Sequence, residues 1–166
     1  MFNRILVTGG AGFIGSNFIQ YVAQTQPDIF MLNLDLLTYA GSLENLKGLP
    51  SANQAEFIKG DICDQTFVED LLRRYEINAV VHFAAESHVD RSIHGPGAFV
   101  QTNIFGTFSL LEAVRKVWLT ERKADEKNVR FHHISTDEVF GSLAPNAPAF
   151  EENTAYSCYL FHVSMI

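Results

Sequence analysis

Residues 4–15, RILVTGGAGFIG, join a short apolar run to a turn with four glycines and to the start of a second apolar segment. The run predicts a buried strand, and apolar residues at helical spacing over residues 13–24 predict a helix after the turn. A turn of bare backbone lets phosphate groups approach main-chain N–H groups at the positive end of the helix. Gly9, Gly12 and Gly15 are therefore candidates for binding a dinucleotide, although a plain strand-to-helix turn has the same pattern.

An acidic residue stands at the end of the next predicted strand. Asp35 lies twenty residues after Gly15, where a carboxylate can accept hydrogen bonds from the adenosine ribose hydroxyls and would repel a 2′-phosphate. We therefore expect NAD rather than NADP. The alternative is that Asp35 is an ordinary aspartate at the end of a strand, without a role in cofactor binding. Asp61, at the end of the third strand, is a candidate for contacting the adenine amine, although a turn or helix-capping role explains it nearly as well.

Strand-like and helix-like segments alternate along the chain. Strands are predicted at residues 5–7, 29–34, 57–58, 79–83 and 129–134, and helices at residues 13–24, 64–75 and 96–116. Strands that are apolar on both faces belong in a parallel sheet covered by helices, with right-handed crossovers. The predicted fold is α/β, a Rossmann-like doubly wound parallel sheet of about five strands. The helix after Pro96 has a predicted apolar stripe formed by Val100, Ile104, Phe108 and Leu111, with Val114 as a further candidate.

Composition and charge exclude several classes of function. The chain has 166 residues, with 12 Lys and Arg against 19 Asp and Glu and a net charge of −7, which argues against nucleic-acid binding. No apolar run reaches the roughly 18–20 residues of a membrane span, and the N-terminus lacks the features of a signal peptide. Cys63 and Cys158 form neither a disulfide framework nor a zinc motif. His132 and His133 point to opposite faces of a strand and cannot easily share a metal. We expect a cytoplasmic protein.

Three motifs resemble one enzyme family. They are the G-x-x-G-x-x-G spacing at residues 9–15, HFAAESHVDRS at residues 82–92 and STDEVFG at residues 135–141. They are similar to the extended short-chain dehydrogenase/reductase family, and within it to the dTDP-glucose 4,6-dehydratases, over about residues 1–157. The resemblance implies a lyase that uses NAD to convert dTDP-glucose to dTDP-4-keto-6-deoxyglucose, for deoxysugars such as rhamnose.

The resemblance also implies which residues bind the cofactor. The NAD site would be lined by Phe13, Ile14, Asp35, Leu36, Leu37, Thr38, Asp61, Ile62, Phe83, Ala84, Ala85, Glu86, Ser87 and Thr102. One residue departs from the family pattern, because Leu36 stands where the family usually has lysine. This exchange removes a polar contact near the adenosine but need not abolish binding.

The same resemblance assigns chemistry to the residues after the fifth strand. Ser87 and Thr136 would contact the sugar. Asp137 would protonate the hydroxyl group that leaves C6, and Glu138 would remove the C5 proton, which a C4 ketone acidifies. Hydride leaves C4 for NAD and returns to C6, so Asp137 must be protonated while Glu138 is ionised, which different surroundings can achieve. Epimerases of the family lack this acid pair, so the pair favours a dehydratase. The alternative is that Asp137 and Glu138 are two exposed loop residues without a catalytic role.

The family's Tyr-x-x-x-Lys pair is missing from the sequence. Tyr159 is followed four residues later by Val163, and no lysine occurs after Lys127. We therefore expect a partial NAD-binding domain at residues 1–157, an aberrant apolar tail at residues 158–166 and no C-terminal substrate domain. Without this pair the chain is predicted to have no detectable turnover.

Several hypotheses remain open at this stage. The chain is either a dehydratase by descent, which would take a nucleotide sugar, or a non-catalytic NAD-binding fragment. Another NAD-dependent nucleotide-sugar epimerase or dehydratase is a further alternative, as is a small interaction protein. The helix after Pro96 resembles the helix through which the family forms homodimers, although packing within the chain explains it nearly as well.

Overall fold

The computed structural model describes residues 2–48 and 54–156. Five strands, β1 to β5, span Arg4–Thr8, Phe30–Asp35, Ala55–Lys59, Ala79–His82 and Arg130–His133. Helices α1 to α3 span Phe13–Thr25, Gln65–Arg74 and Val89–His94. A fourth helix, α4, runs through four consecutive helical segments, Pro96–Phe99, Val100–Gly106, Thr107–Val114 and Arg115–Glu121. All five strands and the three helices predicted from the sequence are present.

The five strands form one parallel sheet in the order β3-β2-β1-β4-β5. Leu6 in β1 pairs in register with Leu32 of β2 and Val80 of β4, and all three side chains are fully buried. Parallel strands need helical crossovers and are covered on both faces, so this arrangement confirms the predicted doubly wound α/β fold. The direction of winding reverses between β1 and β4, which is where sheets of this kind bind ligands.

Two apolar clusters cover the two faces of the sheet. On one face, Ile19 of α1 packs with Met31 of β2. On the other face, Leu71 of α2 and Trp118 of α4 pack with Leu6. Complete burial of side chains of this size stabilises the fold by about 1.5–3 kcal/mol each. These helices hold the strands, and with them the loops at the carboxyl edge of the sheet.

Helix α4 is longer than predicted, and most of its predicted stripe lies outside the face that packs against the sheet. It continues to Glu121, and α3 before it has no counterpart in the prediction. Four residues of the predicted stripe are about half exposed, with exposed fractions of 48% for Val100, 43% for Ile104, 56% for Phe108 and 44% for Leu111, whereas the further candidate Val114 is buried. The face that is buried instead includes Phe99, Asn103, Leu110 and Ala113. Because the helix is apolar on both faces, residue spacing alone could not tell which of them packs against the sheet.

A membrane-spanning helix and a metal site can be assessed only for the residues that the structure describes. Within residues 2–48 and 54–156, no helix is long and apolar enough to cross a membrane. The same residues contain no group of three His, Cys, Asp or Glu side chains that could hold a metal ion. The tail predicted at residues 158–166 lies outside the described residues.

Candidate functional site

A cavity of about 680 Å³ lies at the carboxyl edge of the sheet, and loops after all five strands contribute to its wall. The predicted site residues that line it are Gly9, Gly12, Phe13, Ile14, Gly15, Asp35, Leu36, Thr38, Asp61, Ile62, Phe83, Ala84, Ala85, Glu86, Ser87, Thr102, Thr136 and Asp137. Leu37 and Glu138 are not among the lining residues. Lining residues that the sequence did not single out are Leu34, Ala40, Gly41, Gly60, Ile134 and Ser135. The volume lies within the range of natural ligand sites.

The glycines of the turn between β1 and α1 are required for different reasons. Gly9 has φ +72°, and a Cβ there would lie 2.6 Å from the backbone nitrogen of Ala84, so the turn packs directly on the loop after β4. A Cβ on Gly15 would lie 2.4 Å from the carbonyl oxygen of Gly9. Gly12 is different, because a Cβ there would have one neighbour within 4 Å, the Gly9 carbonyl oxygen at 3.3 Å.

Gly12 therefore leaves open backbone at the cavity. It precedes α1, whose first turn has N–H groups without acceptors inside the helix. Such a helix end attracts anions. This backbone fits the pyrophosphate of a dinucleotide, because Gly12, immediately before the helix, has no side chain to fill the space.

Asp35 holds the turn and the loop after β2 together. One of its carboxylate oxygens accepts a hydrogen bond from the N–H of Ala11 at 2.9 Å, and the other accepts from the N–H of Leu37 at 2.8 Å. The side chain is largely buried and still lines the cavity. Leu37 takes part through its backbone, at a φ of 56°. Each carboxylate oxygen has a second lone pair that can accept from a ribose hydroxyl.

Asp61 is part of a turn after β3. Its Oδ1 accepts a hydrogen bond from the N–H of Cys63 at 2.8 Å, so the turn role considered from the sequence is present. Asp61 also lines the cavity, which leaves a role toward adenine open to its other oxygen. The N-terminal cap of α2 is Asp64, whose Oδ1 accepts from the N–H of Phe67 at 3.0 Å.

Asn103 of α4 is a site residue that the sequence reasoning missed. Its side chain is 3% exposed, accepts from the N–H of Glu86 at 2.8 Å and donates to the Glu86 carbonyl at 2.9 Å. This two-point contact fixes the loop after β4 where that loop lines the cavity. The sequence did carry a signal, which is a polar residue on an otherwise apolar face of α4, but spacing alone does not show that this face is the buried one.

His82 joins three elements beneath the cavity. Its Nδ1 lies 2.6 Å from the hydroxyl of Thr8 in β1, and its Nε2 lies 3.0 Å from the hydroxyl of Thr107 in α4. Burial, together with the neighbouring His133, lowers the pKa of His82 to about 3. The ring is therefore neutral at physiological pH, so it can donate to one hydroxyl and accept from the other.

The acid pair after β5 is divided between two environments. Thr136 caps the short helical turn Asp137–Phe140, and its hydroxyl accepts from the N–H of Glu138 at 3.4 Å. Asp137 is exposed and lines the cavity, beside Thr136. Glu138 is half-buried and lies outside the lining. The two carboxyl groups thus differ in their access to the cavity.

The fold and the cavity define the class of this protein. A glycine turn between β1 and α1, an aspartate at the end of β2 and a cavity at the reversal of the winding are the features of a dinucleotide-binding α/β domain. More specifically, the chain belongs to the GDP-mannose 4,6 dehydratase family, whose family model matches residues 6–159.

Relatives and solved structures agree with this family. The chain is 47% identical to the dTDP-glucose 4,6-dehydratase of Salmonella typhimurium over 162 residues, which cover 93% of this chain and 45% of that protein. The dTDP-glucose 4,6-dehydratase DesIV from Streptomyces venezuelae, solved with NAD and dTDP bound, is 40% identical with a TM-score of 0.81, covering 98% of this chain and 48% of that one.

A UDP-glucose 4-epimerase is similar at a lower level. The enzyme from Brucella ovis, solved in complex with NAD, is 27% identical with a TM-score of 0.77, covering 98% of this chain and 44% of that one. The fold is therefore shared with epimerases, while the sequence is closer to the dehydratases. The chain spans about half the length of the curated relatives that it matches.

Proposed function

We propose that this chain is the NAD-binding part of a nucleotide-sugar 4,6-dehydratase that acts on dTDP-glucose. The observation that carries the proposal is the continuity of one cavity from Asp35 and Asp61, on the β2 and β3 side, to Thr136 and Asp137 after β5. Such a cavity could hold a dinucleotide and still bring its nicotinamide end next to the acid pair. Bound NAD would supply the acceptor and the donor for hydride.

The proposed roles follow from the chemistry of each group. Asp35 would accept hydrogen bonds from the adenosine ribose, and the backbone at Gly12 would bind the pyrophosphate. The hydroxyl of Thr136 would orient the sugar. Asp137 would deliver a proton to the hydroxyl that leaves C6, and Glu138 would take the proton from C5. For Glu138 this requires a rotation of its side chain toward the cavity.

The acid pair also favours a dehydratase over an epimerase. Elimination of water needs an acid for the leaving hydroxyl and a base for the adjacent carbon, and adjacent Asp137 and Glu138 supply both. Sequence identity supports the same choice, at 40% to DesIV and 27% to the epimerase. The Tyr-x-x-x-Lys pair is missing from all 166 residues, so we propose that this chain binds NAD without turning over a sugar.

Two measurements on the 166-residue chain test the proposal. Calorimetry should show NAD binding, with weaker binding of NADP. Asp35→Asn should lower the ratio of the NADP dissociation constant to the NAD dissociation constant by about tenfold, because a neutral amide no longer repels the 2′-phosphate. The substitution also removes one of the two backbone hydrogen bonds that Asp35 accepts, but this loss affects both cofactors and cancels in the ratio. Asp28→Asn, an exposed aspartate beyond α1, is the matched control. Absence of heat at millimolar NAD contradicts the proposal, and a 4-keto product, detected by its absorbance in alkali, contradicts the predicted lack of turnover.

We also propose that two copies associate through α4. The stripe of Val100, Ile104, Phe108 and Leu111 exposes apolar surface along one helix face, in a pattern typical of interaction surfaces. Phe108→Glu should convert a dimer to a monomer in light scattering, because burial of a carboxylate in such an interface is unfavourable. Tyr21→Glu, at an exposed position of α1, should leave the mass unchanged. A monomeric wild-type chain contradicts this association.

A further inference from the structure

Three side chains, Tyr39, Glu86 and Arg91, join the loop after β2 to the loop and helix α3 that follow β4. The hydroxyl of Tyr39 donates to Oε2 of Glu86 at 3.1 Å, and the guanidinium of Arg91 lies 3.7 Å from the centroid of the Tyr39 ring. Tyr39 belongs to the loop after β2, whereas Glu86 and Arg91 follow β4. Since β1 lies between β2 and β4 in the sheet, these contacts cross the carboxyl end of β1, where the glycine turn begins.

Both loops are anchored at their bases. The backbone of Glu86 is held by the buried side chain of Asn103 at 2.8 and 2.9 Å. The loop after β2 is held by Asp35, which accepts from the N–H of Leu37 at 2.8 Å, and Leu37 has a φ of 56°. A leucine in the left-handed region is uncommon and is maintained by its surroundings. The link between Tyr39 and Glu86 therefore joins two loops of defined shape.

We infer that Tyr39, Glu86 and Arg91 form a strap across the pyrophosphate position that controls how fast NAD enters and leaves the cavity. This inference rests on the proposed NAD binding. A dinucleotide in a sheet of this order extends from the β2 side to the β4 side past the start of α1. It would therefore lie under a contact that joins these two sides. Because the strap is made of groups of the chain itself, it has to open both for entry and for exit.

The lining of the cavity makes the strap distinguishable from a direct cofactor contact. Tyr39 and Arg91 are not among the residues that line the cavity, and Glu86 lines it. Loss of the Tyr39 hydroxyl should then change the rate of opening without removing a contact to the cofactor. A change in a gate alters the association and dissociation rate constants by the same factor and leaves Kd unchanged. Loss of a direct contact mainly raises the dissociation rate constant and so weakens affinity.

The test uses Tyr39→Phe, which removes the hydroxyl and keeps the ring under Arg91. Stopped-flow mixing with NADH, followed by its fluorescence, gives the association rate constant, and displacement of bound NADH by excess NAD gives the dissociation rate constant. We expect both to rise about 3- to 10-fold, as the loss of one hydrogen bond implies, with Kd nearly unchanged. Arg91→Gln should change both in the same direction. Tyr21→Phe, an exposed tyrosine of α1, is the matched control and should change neither.

Two outcomes for the Tyr39→Phe variant overturn the strap and leave the proposed NAD binding intact. One is a Tyr39→Phe variant with wild-type circular dichroism and wild-type rate constants. The other is faster dissociation alone with a matching loss of affinity, which indicates a direct contact. A wild-type chain that fails to bind NADH overturns the proposed function itself and the strap with it, and this result differs from wild-type binding with unchanged variants.

Discussion

Glu69 offers a quantitative test of how α2 and α4 are held together. The side chain lies on α2, is 5% exposed, and accepts from Lys116 of α4 at 2.6 Å and from Arg73 at 2.8 Å, with Gln65 at 3.0 Å on its other oxygen. Burial alone would raise the pKa of Glu69, but these hydrogen bonds outweigh it and lower the pKa to about 2. The carboxylate therefore contributes more to stability when it is ionised.

The magnitude and the sign follow from this shift. A fall from 4.5 to about 2 corresponds to an upper limit of about 3 kcal/mol. Lys116 and Arg73 are 49% and 39% exposed, so solvent screens part of the interaction, and we expect Glu69→Gln to lose about 2 kcal/mol at pH 7. Because the folded pKa is the lower one, the contribution is complete above about pH 4.5 and is lost as the pH falls toward 2.

Urea unfolding can measure this contribution through Trp118, which is the single tryptophan of the sequence and is buried in α4. The free energies of unfolding of the wild type and Glu69→Gln should differ most at pH 7 and converge near pH 2. Their difference cancels the effects of other groups that titrate in both proteins. Glu112→Gln removes an exposed pair with Arg115 and should leave the midpoint unchanged. A difference between wild type and Glu69→Gln that is the same at every pH would refute the reasoning.

Two further predictions concern the site itself. Gly9→Ala should lower the free energy of unfolding by about 2 kcal/mol or more, because Gly9 combines a positive φ with a close approach to Ala84. Gly48→Ala is the control: Gly48 has φ +86° but no atom nearby, so its substitution should cost only about 1 kcal/mol. Thermal unfolding measures both. The lowered pKa of His82 means that the unfolded chain takes up the proton first, so stability should fall as the pH drops from about 6.5 toward 3. His82→Gln should abolish that part of the pH dependence in melting experiments between pH 7 and 4.

The fold could be predicted because its signals are local. Continuous apolar runs such as the one around Leu6 are typical of strands buried on both faces, and they alternate with helical spacing and glycine or proline turns. Helix α4 shows where local signals fail. It is apolar both at Phe108, which is exposed, and at Leu110, which is buried, and only the packing of the whole sheet decides between these faces.

The candidate site divides in the same way. The glycine turn and Asp35 could be identified because backbone geometry and a strand end restrict which residues fit there. Asn103 and Tyr39 could not, because their partner Glu86 is 17 residues away from one and 47 from the other. Neither distance follows a helical or strand period, so each contact exists only once β2, β4 and α4 are assembled. In the proposed strap, cofactor exchange therefore depends on Tyr39, which lies outside the three family motifs, as well as on Glu86 and Arg91, which lie within the motif at residues 82–92.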